Sequence, residues 1–211
     1  MASDSTNLTV SNSALAHFGS KRLTDYDNDT SIEAIQCRLH FDETRRALLR
    51  MFPWSFAVKR VTLSPESDDP QFEYDCAFKL PSDYLCFLQD YQTDDSWPED
   101  NRYIVENGYI LSNGSTVDLV YVADMDDPAQ WDDLFHEVFT LALAVKLIIP
   151  IAGGGREALG NRQILKQDLD EMYRKAKLAC WREMDSSGRS NWNWSRRAVQ
   201  ITGHKAFQRR A

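Results

Sequence analysis

Apolar residues recur along this chain first at helical spacing, then in alternation, then again at helical spacing. Leu8, Ser11, Leu15 and Phe18 share one face of a first helix, expected over about residues 7–18. Gly19 follows as a residue able to take the left-handed conformation that closes a helix. After a polar loop, Thr30-Ser31-Ile32-Glu33 reads as a capping box, with Thr30 as N-cap and Glu33 reaching back. Asp25, Asp27 and Asp29 lie just ahead, on the side a helix dipole favours for anions. The second helix is expected to run to about Met51, with Ala34, Cys37, Phe41, Leu48 and Phe52 as its apolar stripe. Arg38, Arg45, Arg46 and Arg50 are placed on its polar face, and Pro53 ends it.

From Trp54 to Asp124 the period changes to two. A strand is expected over Val58–Leu63, then others near 72–79, 84–91, 102–106, 109–112 and 116–123. Asn107-Gly108 is a hairpin signal, because a type I′ turn needs positive φ at both positions. Asn113-Gly114 marks another turn. A third helix is expected to begin at Asp127-Pro128 and to be ended by Pro150 and Gly153-Gly154-Gly155, apolar almost all round from Trp131 to Ile149 and so central in the bundle. A fourth is expected over 156–185, with Leu165, Leu169, Met172, Ala176 and Cys180 on one face and Asp170–Arg174 and Glu171–Lys175 as acid-before-base pairs on the other. No periodic apolar pattern continues beyond it.

These elements make an α+β chain: an antiparallel helical bundle of about four helices with an inserted small antiparallel β-sheet or barrel lobe and an extended C-terminal arm. The bundle is expected from residues 1–53 together with 126–185, the lobe from 54–125 and the arm from 186–211.

Charge sharpens this division. The net charge of −8 over 211 residues conceals −15 in residues 1–150 and +7 in residues 151–211. After Asp185 no acid remains, while Arg189, Arg196, Arg197, Lys205, Arg209 and Arg210 do, with Trp192 and Trp194 among them. Such an end reads as an interaction arm, ordered on a partner. Arginine and tryptophan serve both protein hot spots and single-stranded nucleic acid. The acidic body repels DNA, which favours a protein partner and leaves nucleic-acid binding through the arm as the alternative.

The opening MASDSTNLTVSN has no basic start and no apolar run, so a secretory leader is not expected. The most apolar stretch, 138–151, carries Lys146 and Pro150 and is short for a bilayer, so no membrane partner is expected. The four cysteines form no C-x-x-C pair and read as reduced core thiols. His136-Glu137 opens a zinc-binding pattern, but Thr140 stands where its second histidine belongs, so His136 reads as a packed residue. Asp25, Asp27 and Asp29 imitate a calcium loop whose required glycine is Thr30 and whose last glutamate is Gln36. Gly153-Gly154-Gly155 lacks the lysine and hydroxyl of a phosphate loop and reads as a helix connection. No metal and no cofactor are expected.

Three strings carry a resemblance: ALAHFGSKRLTDYDNDTSIEA at 14–34, CRLHFDETRRALLRMFPWSFAVKRVTL at 37–63, and FKLPSDYL at 78–85. With the order of elements, they resemble the tail tubular protein A, or head-to-tail adaptor, family of short-tailed bacteriophages. Gly19 stands at the family's helix stop, and Asp25, Asp27 and Asp29 at its acidic run, here spaced by Tyr26 and Asn28. Arg46, Leu49, Pro53, Trp54 and Phe56 match its Pro-Trp run, while His40, Phe41 and Asp42 stand where tyrosine and aspartate are usual. The resemblance covers about 5–185 and stops short of the arm. It implies a structural, non-enzymatic gatekeeper at the head–tail junction of a virion, made in the bacterial cytoplasm. It further implies a homo-oligomeric ring, usually a dodecamer, between a portal protein and a tail nozzle protein of the tubular B type. DNA would pass through its lumen without specific binding. The arm residues Arg189, Trp192, Trp194, Arg196, Arg197, Lys205, Arg209 and Arg210 are then the candidate portal-docking set, on composition alone.

Overall fold

A computed structural model of the chain describes residues 2–67, 70, 73–88 and 103–185. The fold is α+β. Four helices are α1 (Ala2–Ala16), α2 (Ile32–Met51), α3 (Asp133–Ala152) and α4 (Arg156–Asp185). Between α2 and α3 the described residues form six strands: β1 (Val58–Leu63), β2 (Cys76–Lys79), β3 (Tyr84–Phe87), β4 (Tyr103–Glu106), β5 (Tyr109–Ser112) and β6 (Val117–Ala123). The expected arm lies outside the described residues.

The first helix begins earlier than expected, and its buried face is Val10, Ser11, Ala14 and Leu15. Gly19 closes it at φ +69°, with Gly19 N–H donating to the Ala16 carbonyl and Ser20 N–H to the Leu15 carbonyl. That pair of bonds is the Schellman pattern, which a residue without Cβ permits at no steric cost.

At α2 the cap is Ser31 rather than Thr30: its hydroxyl accepts from Ala34 N–H at 3.3 Å. Glu33 does not reach back; its carboxylate accepts from the Ser20 hydroxyl instead. The polar-face assignment of Arg45 is also corrected. Arg45 is buried beside Phe41, Thr44, Leu48 and Leu49 on the inner face.

The strands form two three-stranded antiparallel sheets, β1–β6–β3 and β2–β5–β4, rather than one sheet or a closed barrel. Asn107 and Gly108, at φ +48° and +82°, turn β4 directly onto β5. Asn113-Gly114 instead carries the chain from one sheet to the other, since β6 pairs with β1 and β3. The pairing runs from Val58 opposite Val122 to Leu63 opposite Val117, so the first and last strands of the β segment are neighbours. Phe87 and Tyr103 join the two sheets by a ring contact at 5.6 Å.

Asp127-Pro128 starts only a single 3-10 turn, Pro128–Gln130. The cap of α3 is Asp132, whose carboxylate accepts from the N–H groups of Leu134 and Phe135. Pro150 does not end α3, which continues to Ala152 and is closed by Gly153 N–H on the Ile149 carbonyl. A proline in the last turn removes one ladder bond without stopping the few residues that follow. By length and composition α3 could cross a membrane, but here α1, α2 and α4 all pack on it. Eleven of its residues are buried, on every side of the helix. One continuous core joins these residues to Trp54, Phe78, Ile110 and Val122.

Candidate functional site

The Pro-Trp run forms the corner where α2 turns into β1. Phe52 is extended and Pro53 follows, so the last carbonyls of α2 need partners from elsewhere. Trp54 supplies one: its buried indole N–H donates to the Leu48 carbonyl at 3.0 Å. Its ring lies 5.0 Å from Phe52, 5.0 Å from Phe135 of α3 and 6.1 Å from Tyr173 of α4. Phe56 meets Phe135 at 5.1 Å, and Leu49 is wholly buried. Next to this corner Ser55 N–H donates to the Cys180 sulfur, and burial pushes that thiol above its ordinary range. All four cysteines are unpaired, with Cys37 and Cys180 in the core. Leu49, Trp54 and Phe56 are thus brought together, and their role is to join three helices.

A second cluster ties α2 to the sheet. Arg46 Nε donates to Asp124 at 2.8 Å, and Arg45 Nη2 lies 3.1 Å from the other oxygen of the same carboxylate. Arg50 reaches the Leu85 carbonyl. Asp124 N–H donates to the Asp83 carbonyl, and the Asp83 carboxylate accepts from Lys59 at 2.7 Å and from the Tyr121 hydroxyl at 2.9 Å. Partial burial pushes the Asp83 carboxyl up, but the bonds from Lys59 and Tyr121 outweigh it and hold the group below the usual carboxylate range. Burial in turn pushes the Tyr121 phenol up to about 12. A depressed carboxyl stabilises the fold above its unfolded value, and that stabilisation is lost as pH falls through the folded value. Unfolding titrations should therefore show the wild type losing stability on acidification below about pH 4. Asp83→Asn should be weaker at neutral pH and flatter on the acid side; equal acid slopes would refute the assignment.

The acidic loop sits at the opposite end of α2. The Asp25 carboxylate accepts from the side chain of Asn28 and from the backbone N–H groups of Asp27 and Asn28, and Asp29 accepts from Ser31 N–H. The Asn28 side chain first, then the backbone donors, lower the Asp25 carboxyl; the Ser31 N–H chiefly lowers Asp29. Arg38 holds the loop against the helix by donating to the carbonyls of Tyr26 and Asp29. Gly19, the acidic loop, Arg46 and the corner are therefore strung along α1 and α2 rather than gathered into one pocket. Arg38, Asp83 and Asp124 are contributors the sequence did not single out. Asp124 is one acid in the run ADMDDP, and nothing local distinguishes it.

His136 packs on Trp131, with Nε2 2.9 Å from the Pro128 carbonyl, and Thr140 bonds the Glu137 carbonyl. Of the two expected pairs on α4, Glu171–Lys175 forms at 2.7 Å, whereas Arg174 turns to the backbone carbonyl of Asp170. Arg189, Trp192, Trp194, Arg196, Arg197, Lys205, Arg209 and Arg210 lie outside the described residues.

One surface feature was not anticipated. Ile32, Ile35 and Leu39 stand on the outer face of α2 at 62%, 48% and 64% exposure. Their spacing of three and four residues aligns them as one stripe beside the acidic loop. A scan against models of known protein families and a search of curated proteins find no match to the chain.

Proposed function

We propose that this chain is a structural head-to-tail adaptor of a bacteriophage virion, a ring-forming protein between portal and tail nozzle through which DNA passes. The observation that supports this reading most is the use made of the Pro-Trp run. Its side chains are spent on joining helices: Trp54 closes α2 and packs on α3 and α4, Arg46 holds the sheet, and Leu49 fills the core. A run that resembles the adaptor family thus does scaffold work here. The −15 charge of residues 1–150 suits a channel that DNA must slide through without sticking. The basic arm is the portal-docking element of the proposal, by its excess of arginine and its two tryptophans.

The test is the mass of the purified full-length protein with and without the portal ring of its own virion, by light scattering. A large complex that forms only with portal is expected, and a monomer alone is compatible with assembly on that template. Trp192→Ala with Trp194→Ala should weaken the complex at least roughly tenfold. No complex with portal would overturn the adaptor reading. Salt-dependent binding of DNA by the same protein would favour a nucleic-acid module instead.

A further inference from the structure

The stripe Ile32, Ile35 and Leu39 exposes three large apolar side chains side by side, an arrangement that calls for a cover. Its surroundings say what kind. Asp25, Asp27, Asp29 and Glu33 stand at the same end of α2, with no carboxylate ion-paired among the described residues and with Arg38, held on the Tyr26 and Asp29 carbonyls, offsetting only part of their charge. Asp42 and Glu43, further along the helix, pair with Arg45 and Lys146. The fitting occupant is apolar and cationic.

The other exposed apolar residues of the helices do not fit that description. Met51 stands alone at the other end of α2, and Leu159, Ile164 and Leu178 of α4 are dispersed over a helix whose outer face mixes signs, with Glu171 paired to Lys175. A second copy offering that face would bring acids as well as bases to an acidic rim. The segment after α4 matches better: six cations, no acid and two tryptophans in 186–211.

We propose that the C-terminal segment lies on its own chain's α2, with Trp192 and Trp194 over Ile32, Ile35 and Leu39 and its arginines toward Asp25, Asp27, Asp29 and Glu33. Reach allows this. The last turns of α4 adjoin the far end of α2, where Cys180 meets Ser55. The twenty residues of α2 cover about 30 Å. Trp192 and Trp194 stand seven and nine residues beyond Asp185, an extended reach of roughly 23–32 Å, against about 18 Å along α2 from Met51 back to Leu39. Tethering also gives the chain's own segment a local concentration that a separate copy in dilute solution does not match. Tryptophan supplies the apolar contact and arginine the charge, a pairing that dominates protein contacts elsewhere. On the adaptor reading the segment exchanges this seat for the portal, but the seat itself is a property of the free chain and is tested without portal.

The test places the photo-crosslinker benzoylphenylalanine at position 35 in the full-length protein at micromolar concentration. Irradiated monomer is digested and the joined peptides are read by mass spectrometry. The expected product has monomer mass and joins α2 to a peptide from 187–211. Its yield should fall roughly tenfold in Trp192→Ala with Trp194→Ala, and should fall as salt is raised. Products joining two chains, whichever peptide they carry, would overturn the proposal in favour of a second copy. A monomer with no adduct to 187–211, or a yield indifferent to the tryptophans, would overturn it as well. None of these results bears on whether the chain binds portal.

Discussion

Trp54→Ala is expected to lower the unfolding free energy by about 3–5 kcal/mol. Trp54 is 1% exposed and touches aromatic rings from three directions, so its removal leaves a cavity that no single neighbour can fill. It also strips the Leu48 carbonyl of its donor at the end of α2. Trp54→Phe separates the two effects. It keeps most of the apolar contact and loses the N–H, and should cost about 1–3 kcal/mol, the penalty of an unpaired buried carbonyl. Urea denaturation followed by circular dichroism measures both. A loss under about 1 kcal/mol for Trp54→Ala would mean that the corner is not part of the core.

Asp124→Ala is expected to cost about 3–5 kcal/mol, because it leaves a buried guanidinium without its main counter-charge. Arg45 is 3% exposed, and its other acidic neighbour, Asp42, is 3.4 Å away with its side chain largely in water. The Arg45–Asp124 contact is close enough to attract but is not aligned as a hydrogen bond, and Arg45 Nε has no partner among the described atoms. The pair is thus unevenly satisfied, which makes the loss of either member costly and the loss of both less so. Arg45→Met combined with Asp124→Ala should cost clearly less than the sum of the single changes. Additive losses would show that the two side chains do not act as a pair. Arg46, more than half exposed, should contribute little when replaced alone.

Much of this fold can be read from spacing, and the errors have specific causes. The stripes of α3 and α4 locate those helices because apolar residues recur for several turns. The caps are less legible where two suitable residues are close together. Thr30 and Ser31 are adjacent, and Asp127 and Asp132 are five residues apart, so either could accept from the first N–H groups. The geometry chose the later residue in both cases. Arg45 was misplaced by chemistry rather than by spacing: it is four residues from both Phe41 and Leu49 and so lies on their face of the helix. Burial became possible because Asp124 arrives from β6, 79 residues away in sequence, a contact no local pattern announces. Ile32, Ile35 and Leu39 fall off the stripe that the spacing picks out, and nothing in the spacing gives them a role. The split into two sheets was illegible for a similar reason, because β1 pairs with β6 across the whole intervening segment.

That pairing has a consequence for how the protein can change. The chain leaves the helices through β1 and returns through β6, side by side, with β3 on the other edge of β6 and in contact with α2 through Arg50 and Leu85. Lengthening or shortening a connection within the excursion, such as that between Leu63 and Cys76, alters the entropy of one loop, at about 0.6 kcal/mol per doubling of its length. The β1–β6 register and the helices' packing need not shift. Related chains could therefore vary in such connections, changing the outer surface, while α2, α3 and α4 keep their contacts. The same arrangement delays folding, because the β1–β6 pair closes only after a long loop has been brought together. α3 and α4, joined through Gly153-Gly154-Gly155 alone, provide a local frame on which that closure happens.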